Sequence, residues 1–167
     1  MKKFLVIGNP IGHSLSPTLH NYWIKSNSIN AIYEKQLLDE SGLEKLILEV
    51  KEKKINGINV TVPFKQTIIP YLDELSLEAE RTQSVNTIYS KDNKAIGHNT
   101  DIVGFKTSIE KSEYNIENKK VLILGAGGVV PSIIFALTKM KPLKITITNR
   151  TKEKAENLKK LFKDIEI

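Results

Sequence analysis

Four short stretches carry side chains that could do chemistry on one small molecule. Ser14 and Ser16 flank Leu15, so two hydroxyls can point one way from an extended loop. Asn59-Val60-Thr61-Val62-Pro63-Phe64-Lys65 puts an amide and a hydroxyl on one side of a strand end, with a cation just past a proline. Val85-Asn86-Thr87 places an amide in a strand, and Asn99-Thr100-Asp101 places a carboxylate at a helix start. Taken singly, these are ordinary cap and turn residues. Taken together, they offer hydroxyls, amides, one cation and one carboxylate. That set would hold a small polyhydroxylated carboxylic acid, and strand ends are where open α/β sheets place ligands.

Two further stretches suit a different ligand. Gly125-Ala126-Gly127-Gly128 falls between an expected strand and an expected helix. Glycine lets the backbone approach a pyrophosphate, and a helix start supplies N–H donors and a favourable dipole. The other reading is a tight strand-to-helix turn with no ligand. The next strand ends at Asn149-Arg150-Thr151, with Lys154 a few residues on. An acidic residue there would accept from a ribose 2′-hydroxyl. An amide, a cation and a hydroxyl suit a 2′-phosphate instead, so the chemistry points to NADP over NAD. Asn149 and Thr151 could also cap the helix beginning near Lys152, which is compatible with phosphate binding.

Strands alternate with helices in the elements that must position these groups. Strands are expected at Lys3–Gly8, Ala31–Leu37 and Gly57–Val62, the last stopped by Pro63. A helix over Pro17–Ser26 would take Ser16 as its N-cap. Another over Ser41–Lys53 has Leu43, Leu46, Ile47 and Val50 at helical spacing, with Ser41 as cap and Glu44 three residues on. A short acidic helix is expected over Ser76–Thr82. Val85–Tyr89 and Lys94–Gly97 flank a turn at Lys91-Asp92-Asn93. A helix follows Thr100-Asp101 to about Lys111, and Ser112–Lys119 reads as a polar connector. Then come a strand at Lys120–Leu124, a helix at Val129–Lys139, a strand at Leu143–Thr148 and a helix at Thr151–Phe162. The expected fold is α/β. An N-terminal substrate-binding domain spans 1–111 and a partial Rossmann-like, doubly wound nucleotide domain spans 120–167. Such a sheet normally needs five or six strands. With two present, the chain is expected to be part of a longer protein and to lack a full cofactor site.

Composition narrows the classes. The chain has 167 residues, 25 basic against 19 acidic, and no cysteine. Zinc-thiolate, Fe–S and cysteine-nucleophile chemistry is therefore excluded. The positive charge is nearly all lysine, spread without long blocks. That favours a solvated surface over a nucleic-acid interface, and an anionic small substrate also fits it. Val121–Leu137 is apolar but short of the roughly 20 residues a membrane span needs. It carries Gly125, Gly127, Gly128 and Pro131 at its centre. His13, His20 and His98 have no metal-ligand spacing, so no metal is expected.

These motifs, in this order, resemble those of the shikimate dehydrogenase family. They are Ser14-Leu15-Ser16-Pro17, Asn59–Lys65, Val85-Asn86-Thr87, Asn99-Thr100-Asp101, Gly125–Gly128 and Asn149-Arg150-Thr151. The resemblance implies reversible, NADP-dependent reduction of 3-dehydroshikimate to shikimate in aromatic amino-acid biosynthesis. It implies a cytoplasmic enzyme with a small-molecule substrate, no nucleic-acid or membrane partner, and room for a homodimer. It assigns Ser14 and Ser16 to the substrate carboxylate with Thr61 supporting that end. Lys65, Asn86 and Asp101 go to the ring hydroxyls, with Lys65 and Asp101 as the catalytic pair. It assigns Gly125, Ala126, Gly127, Gly128, Val129, Asn149, Arg150, Thr151 and Lys154 to the cofactor. Hydride transfer to a ketone builds negative charge on oxygen, which a nearby ammonium can stabilise or protonate. The sequence departs from the family at Gln83-Ser84, Ile102 and Val129-Val130-Pro131, where smaller residues are common. A quinate-type dehydrogenase and a non-catalytic small-anion-binding module are the alternatives.

Overall fold

The computed structural model describes residues 1–163; the last four residues of the expected nucleotide domain lie outside them. Contacts group the chain into two compact units, Met1–Glu80 with Val85–Asn99, and Arg81–Ser84 with the chain from Thr100 on.

The first unit is built on a six-stranded mixed sheet. In chain order its strands are β1 (Lys2–Gly8), β2 (Ala31–Leu37), β3 (Gly57–Val60), β4 (Glu74–Leu75), β5 (Thr87–Lys91) and β6 (Lys94–His98). Their spatial order is β2-β1-β3-β5-β6-β4. β1 is parallel to β2 and β3, while β5 is antiparallel to β3 and β6. The apolar run in β1 follows from burial on both faces. Leu5 and Ile7 join Ile47, Ile58, Val85 and Ile88 in the main core, and Val6 packs with Ile11 and Tyr33. Helix α2 (Leu43–Lys51) covers that core with Leu43, Leu46, Ile47 and Val50, one face of a 3.6-residue repeat. Helix α1 (Ser16–Ser26) buries no residue fully, and its Ile24 packs against the cluster of Val6, Ile11 and Tyr33. The β5–β6 turn runs through Asp92 and Asn93 at φ 52° and 59°, the left-handed pair a tight hairpin needs.

Several expected boundaries move. Ser16 is the first residue of α1 rather than its cap; Leu15 holds the cap position, because Pro17 suits the first turn and the helix closes one residue earlier. Ser41 does not cap α2. It lies in a single 3₁₀ turn, Glu40–Gly42, and its hydroxyl donates to Asp39 Oδ1 at 2.7 Å. β3 ends at Val60, and the chain turns into α3 (Phe64–Thr67), a short helix that carries Lys65. Helix α4 spans Leu77–Thr82, and Ser76 Oγ accepts from the Ala79 N–H at 3.3 Å.

The second unit contains α5 (Asp101–Lys111), β7 (Lys120–Leu124), α6 (Val130–Thr138), β8 (Lys144–Thr148) and α7 (Lys152–Leu161). β7 and β8 pair in parallel from Lys120↔Lys144 to Leu124↔Thr148. Ile123, Val130, Ile134, Leu137, Ile145 and Leu158 form its core, and Phe105 and Ile109 of α5 pack against it. Among the described residues, no helix is long and apolar enough to cross a membrane.

Candidate functional site

In the first unit, backbone bonds gather the expected substrate-binding residues. Thr61 N–H donates to the Ile7 carbonyl at 3.0 Å, and Asn9 N–H donates to the Val62 carbonyl at 3.0 Å. The end of β1 and the turn after β3 therefore run side by side. Gly8 permits this: a Cβ there would lie 2.7 Å from Thr61 Cγ2 and 3.0 Å from the Val62 carbonyl oxygen. The peptide bonds Asn9–Pro10 and Val62–Pro63 are both cis. Phe64 N–H donates to the Thr61 carbonyl at 2.9 Å and opens α3, and Val85 N–H donates to the Lys65 carbonyl at 2.8 Å. That last bond ties the lysine's backbone to the segment Val85-Asn86, which was expected inside a strand but lies just before β5, whose ladder starts at Thr87. Ser14 sits in a turn, its N–H donating to the Ile11 carbonyl at 3.1 Å, and its Oγ accepts from the Ser16 N–H at 3.3 Å. Lys35 Nζ donates to the Gly12 carbonyl at 2.5 Å, so β2 anchors the loop that holds both serines.

Asn86 is 9% exposed and takes part in a side-chain chain that starts on β2, three strands from β5. Tyr33 Oη donates to Asn59 Oδ1 at 2.7 Å. Asn59 Nδ2 donates to the Asn86 carbonyl and to Thr87 Oγ1, each at 3.3 Å. Thr87 Oγ1 donates to Asn86 Oδ1 at 3.0 Å. Burial pushes the Tyr33 phenol up to about 12. His20 stacks flat on Tyr33 with centroids 4.1 Å apart, and burial holds its imidazole below the ordinary histidine value. Tyr33, Asn59 and Thr87 make contacts that the motif reading left unconnected. Asn59 and Thr87 lie inside quoted motifs. Tyr33 lies outside them, in a strand of mixed polarity, and nothing in its local pattern marked it.

The second unit holds Asp101 and the cofactor candidates. Asp101 is the first residue of α5, where the helix start favours an anion, and the Thr100 carbonyl accepts from Gly104 N–H at 3.0 Å. Gly125 adopts φ +113°, which side-chain-bearing residues rarely take, and its N–H donates to the Thr148 carbonyl at 2.7 Å. Built Cβ atoms at Gly125, Gly127 and Gly128 meet nothing within 4 Å, so the turn is open on the side those hydrogens face. Val129 precedes α6, with Pro131 in its first turn. Two departures from the family pattern are accommodated. Ser84 is fully buried, and its hydroxyl donates to the Gly128 carbonyl at 3.3 Å; Val130 packs in the core. Asn149 Nδ2 donates to the Thr151 carbonyl at 2.8 Å, and neither residue's side chain caps α7. Arg150 and Lys154 are exposed cations on the same connection and first helical turn. An open glycine turn at a nine-residue helix, followed by two exposed cations, fits a phosphorylated dinucleotide. Among the described residues, no cluster of histidine, aspartate and glutamate could hold a metal ion.

Comparison with known proteins finds two family models that match successive parts of the chain. A family model described as the shikimate dehydrogenase substrate binding domain matches residues 6–88, and one described as shikimate / quinate 5-dehydrogenase matches residues 107–167. A relative named shikimate dehydrogenase (NADP(+)) from Pelagibacter ubique is 66% identical over 166 residues, which cover 99% of this chain and 63% of that protein. The crystal structure of shikimate dehydrogenase from Aquifex aeolicus matches with a TM-score of 0.92 at 40% identity, over 99% of this chain and 62% of the other. The Thermus thermophilus enzyme in complex with NADP(H) and shikimate matches with a TM-score of 0.89 at 31% identity, over 99% and 62%. The chain thus spans about three-fifths of the length of the curated relatives it matches.

Proposed function

Because the chain belongs to the shikimate dehydrogenase family, we propose that the whole protein interconverts 3-dehydroshikimate and shikimate with NADP(H), as a cytoplasmic biosynthetic enzyme. The observation that carries this reading is the bonded cluster in the first unit: Thr61, the α3 turn with Lys65, and the oriented amides of Asn59 and Asn86. On this reading residues 1–111 bind the substrate, 112–119 connect, and 120–167 begin the NADP domain.

Ser14 and Ser16 hold the carboxylate with Thr61 beside them. A hydroxyl that already accepts a backbone N–H, as Ser14 does, keeps its own proton to donate. Asn86, Lys65 and Asp101 bind the ring hydroxyls, and an amide whose oxygen is engaged by Thr87 has a defined orientation for that task. The glycine turn Gly125–Gly128 with Val129 takes the pyrophosphate, and Asn149, Arg150, Thr151 and Lys154 take the 2′-phosphate. When bound, the dinucleotide supplies hydride chemistry at its nicotinamide. Lys65 stabilises charge on the substrate oxygen as the carbonyl is reduced and returns a proton to it, while Asp101 binds the neighbouring hydroxyl as an acceptor.

The test is an absorbance assay at the nicotinamide band, run on the full-length protein with shikimate and quinate against NADP and NAD. Shikimate with NADP should be turned over fastest. A quinate preference would move the protein to the quinate-type branch of the family. Shikimate binding without turnover would make it a binding module.

A further inference from the structure

We propose that Tyr33 is a positioning residue: its hydroxyl sets the amide of Asn59 and, through Thr87, the amide of Asn86, so that substrate hydroxyls meet one fixed pattern of donors and acceptors. The inference rests on the functional reading above for the identity of the substrate; the hydrogen-bonded relay stands on geometry alone.

Each proton in the relay has one place to go. The Asn86 carbonyl can only accept, and it takes the Val60 N–H at 2.9 Å as well as Asn59 Nδ2. Asn59 must therefore face that carbonyl with its NH₂, which turns its Oδ1 toward Tyr33, and the phenol donates to it. Thr87 Oγ1 receives the second Nδ2 proton, so its own single proton goes to Asn86 Oδ1. The amide of Asn86 is oriented by three residues on three strands.

Tyr33 is itself unusually well held. It is 4% exposed. Asn21 on α1 clamps its backbone from both sides, Nδ2 donating to the Tyr33 carbonyl at 2.8 Å and Oδ1 accepting its N–H at 2.9 Å. The His20 ring lies 5° from parallel to its own. Tyr33 is opposite Phe4 and Asn59 is opposite Val6, so both stand on one face of the sheet with β1 between them. Two strand spacings are about 9–10 Å, a span that needs a side chain as long as tyrosine. The raised phenol keeps its proton throughout the range in which such an enzyme is assayed, so it remains a donor.

Tyr33→Phe in the full-length protein tests this, because it removes one oxygen and leaves the stacked ring. The shikimate KM should rise about tenfold, the cost of leaving a half-buried acceptor unpaired and its amide free to turn. The NADP KM should not change, and kcat should stay within about threefold. Equal losses in both KM values and in kcat would mean general loosening and would overturn the assignment, as would an unchanged shikimate KM. Thr87→Val cuts the same relay further along. The double variant should therefore be no worse than the poorer single one, whereas additive effects would overturn the coupling. The side-chain amide resonances of ¹⁵N-labelled protein give a readout independent of turnover. Tyr33→Phe should shift those of Asn86 together with those of Asn59; movement at Asn59 alone would show that the relay stops there. A wild-type protein inactive on shikimate would sink the functional reading, while the amide resonances would still decide whether the relay exists.

Discussion

The first unit presents its candidate amide ligand, Asn86, as a side chain locked by other side chains, whereas the second presents backbone and exposed cations to the dinucleotide. Asn86 is oriented through Thr87, Asn59 and Tyr33. The glycine turn at Gly125–Gly128 offers open backbone, and Arg150 and Lys154 stand in solvent. The difference matches the two chemistries. A ring with several hydroxyls is distinguished by where donors and acceptors point, so direction must be built in. A phosphate accepts from any side, and a helix start with long flexible cations is sufficient.

Four experiments would break or sharpen this contrast. Lys65→Ala in the full-length protein should lower kcat by roughly three orders of magnitude, with a much smaller change in shikimate KM. The backbone bond from Val85 to Lys65 survives the substitution, so steady-state kinetics would read the side chain alone. An active variant would remove Lys65 from the chemistry. Arg150→Ala should raise the NADP KM by about ten- to a hundredfold and leave the NAD KM nearly unchanged. Parallel changes in the two would show that Arg150 does not read the 2′-phosphate.

Two smaller effects concern stability. Gly125→Ala should cost about 1–3 kcal/mol in urea unfolding, because φ +113° strains any side-chain-bearing residue even where space is open. Gly127→Ala meets no neighbour within 4 Å and has no such φ, so it should cost less than about 0.5 kcal/mol. It should still weaken dinucleotide binding. The fourth experiment is the pH dependence of unfolding. Tyr33 has a folded pKa raised from 10.0 to about 12, so its contribution is complete below pH 10 and is lost as pH rises toward 12. Tyr33→Phe should flatten that alkaline limb. His20 is shifted the other way, downward from 6.5 by burial. The unfolded chain then protonates first, and stability should fall with acidification below pH 6.5. A His20→Gln variant that keeps the full acid limb would assign it to other groups.

Much of the architecture was readable from local pattern. β2 spans Ala31–Leu37 and β7 spans Lys120–Leu124, the bounds expected from the sequence, the latter from its apolar run. α5 begins at Asp101, as the Thr100-Asp101 signal indicated. What escaped was short or closed by distant contacts. α3 is four residues long, and its apolar face is one side chain, Phe64. β4 is two residues that exist as a strand because β6 lies beside them. Ser41 reads as a cap from its spacing to Glu44, but its hydroxyl found a nearer acceptor in Asp39. Ser84 breaks the small-residue pattern before Val85, yet it earns its buried place with a bond to Gly128, 44 residues away.

Ligand chemistry was legible from residue types because hydroxyls, amides, an ammonium and a glycine turn each suit few partners. Strand and helix order was legible because each element repeats its burial pattern within a few residues. Which side chain meets which was not. Tyr33 and Asn59 are 26 positions apart and touch because β1 lies between their strands in one particular register. A one-residue slip in either pairing would turn one of them to the opposite face of the sheet. Burial of one face against the rest of the fold, as in the cluster of Val6, Ile11 and Tyr33, chooses that register, and no window of neighbouring residues contains it.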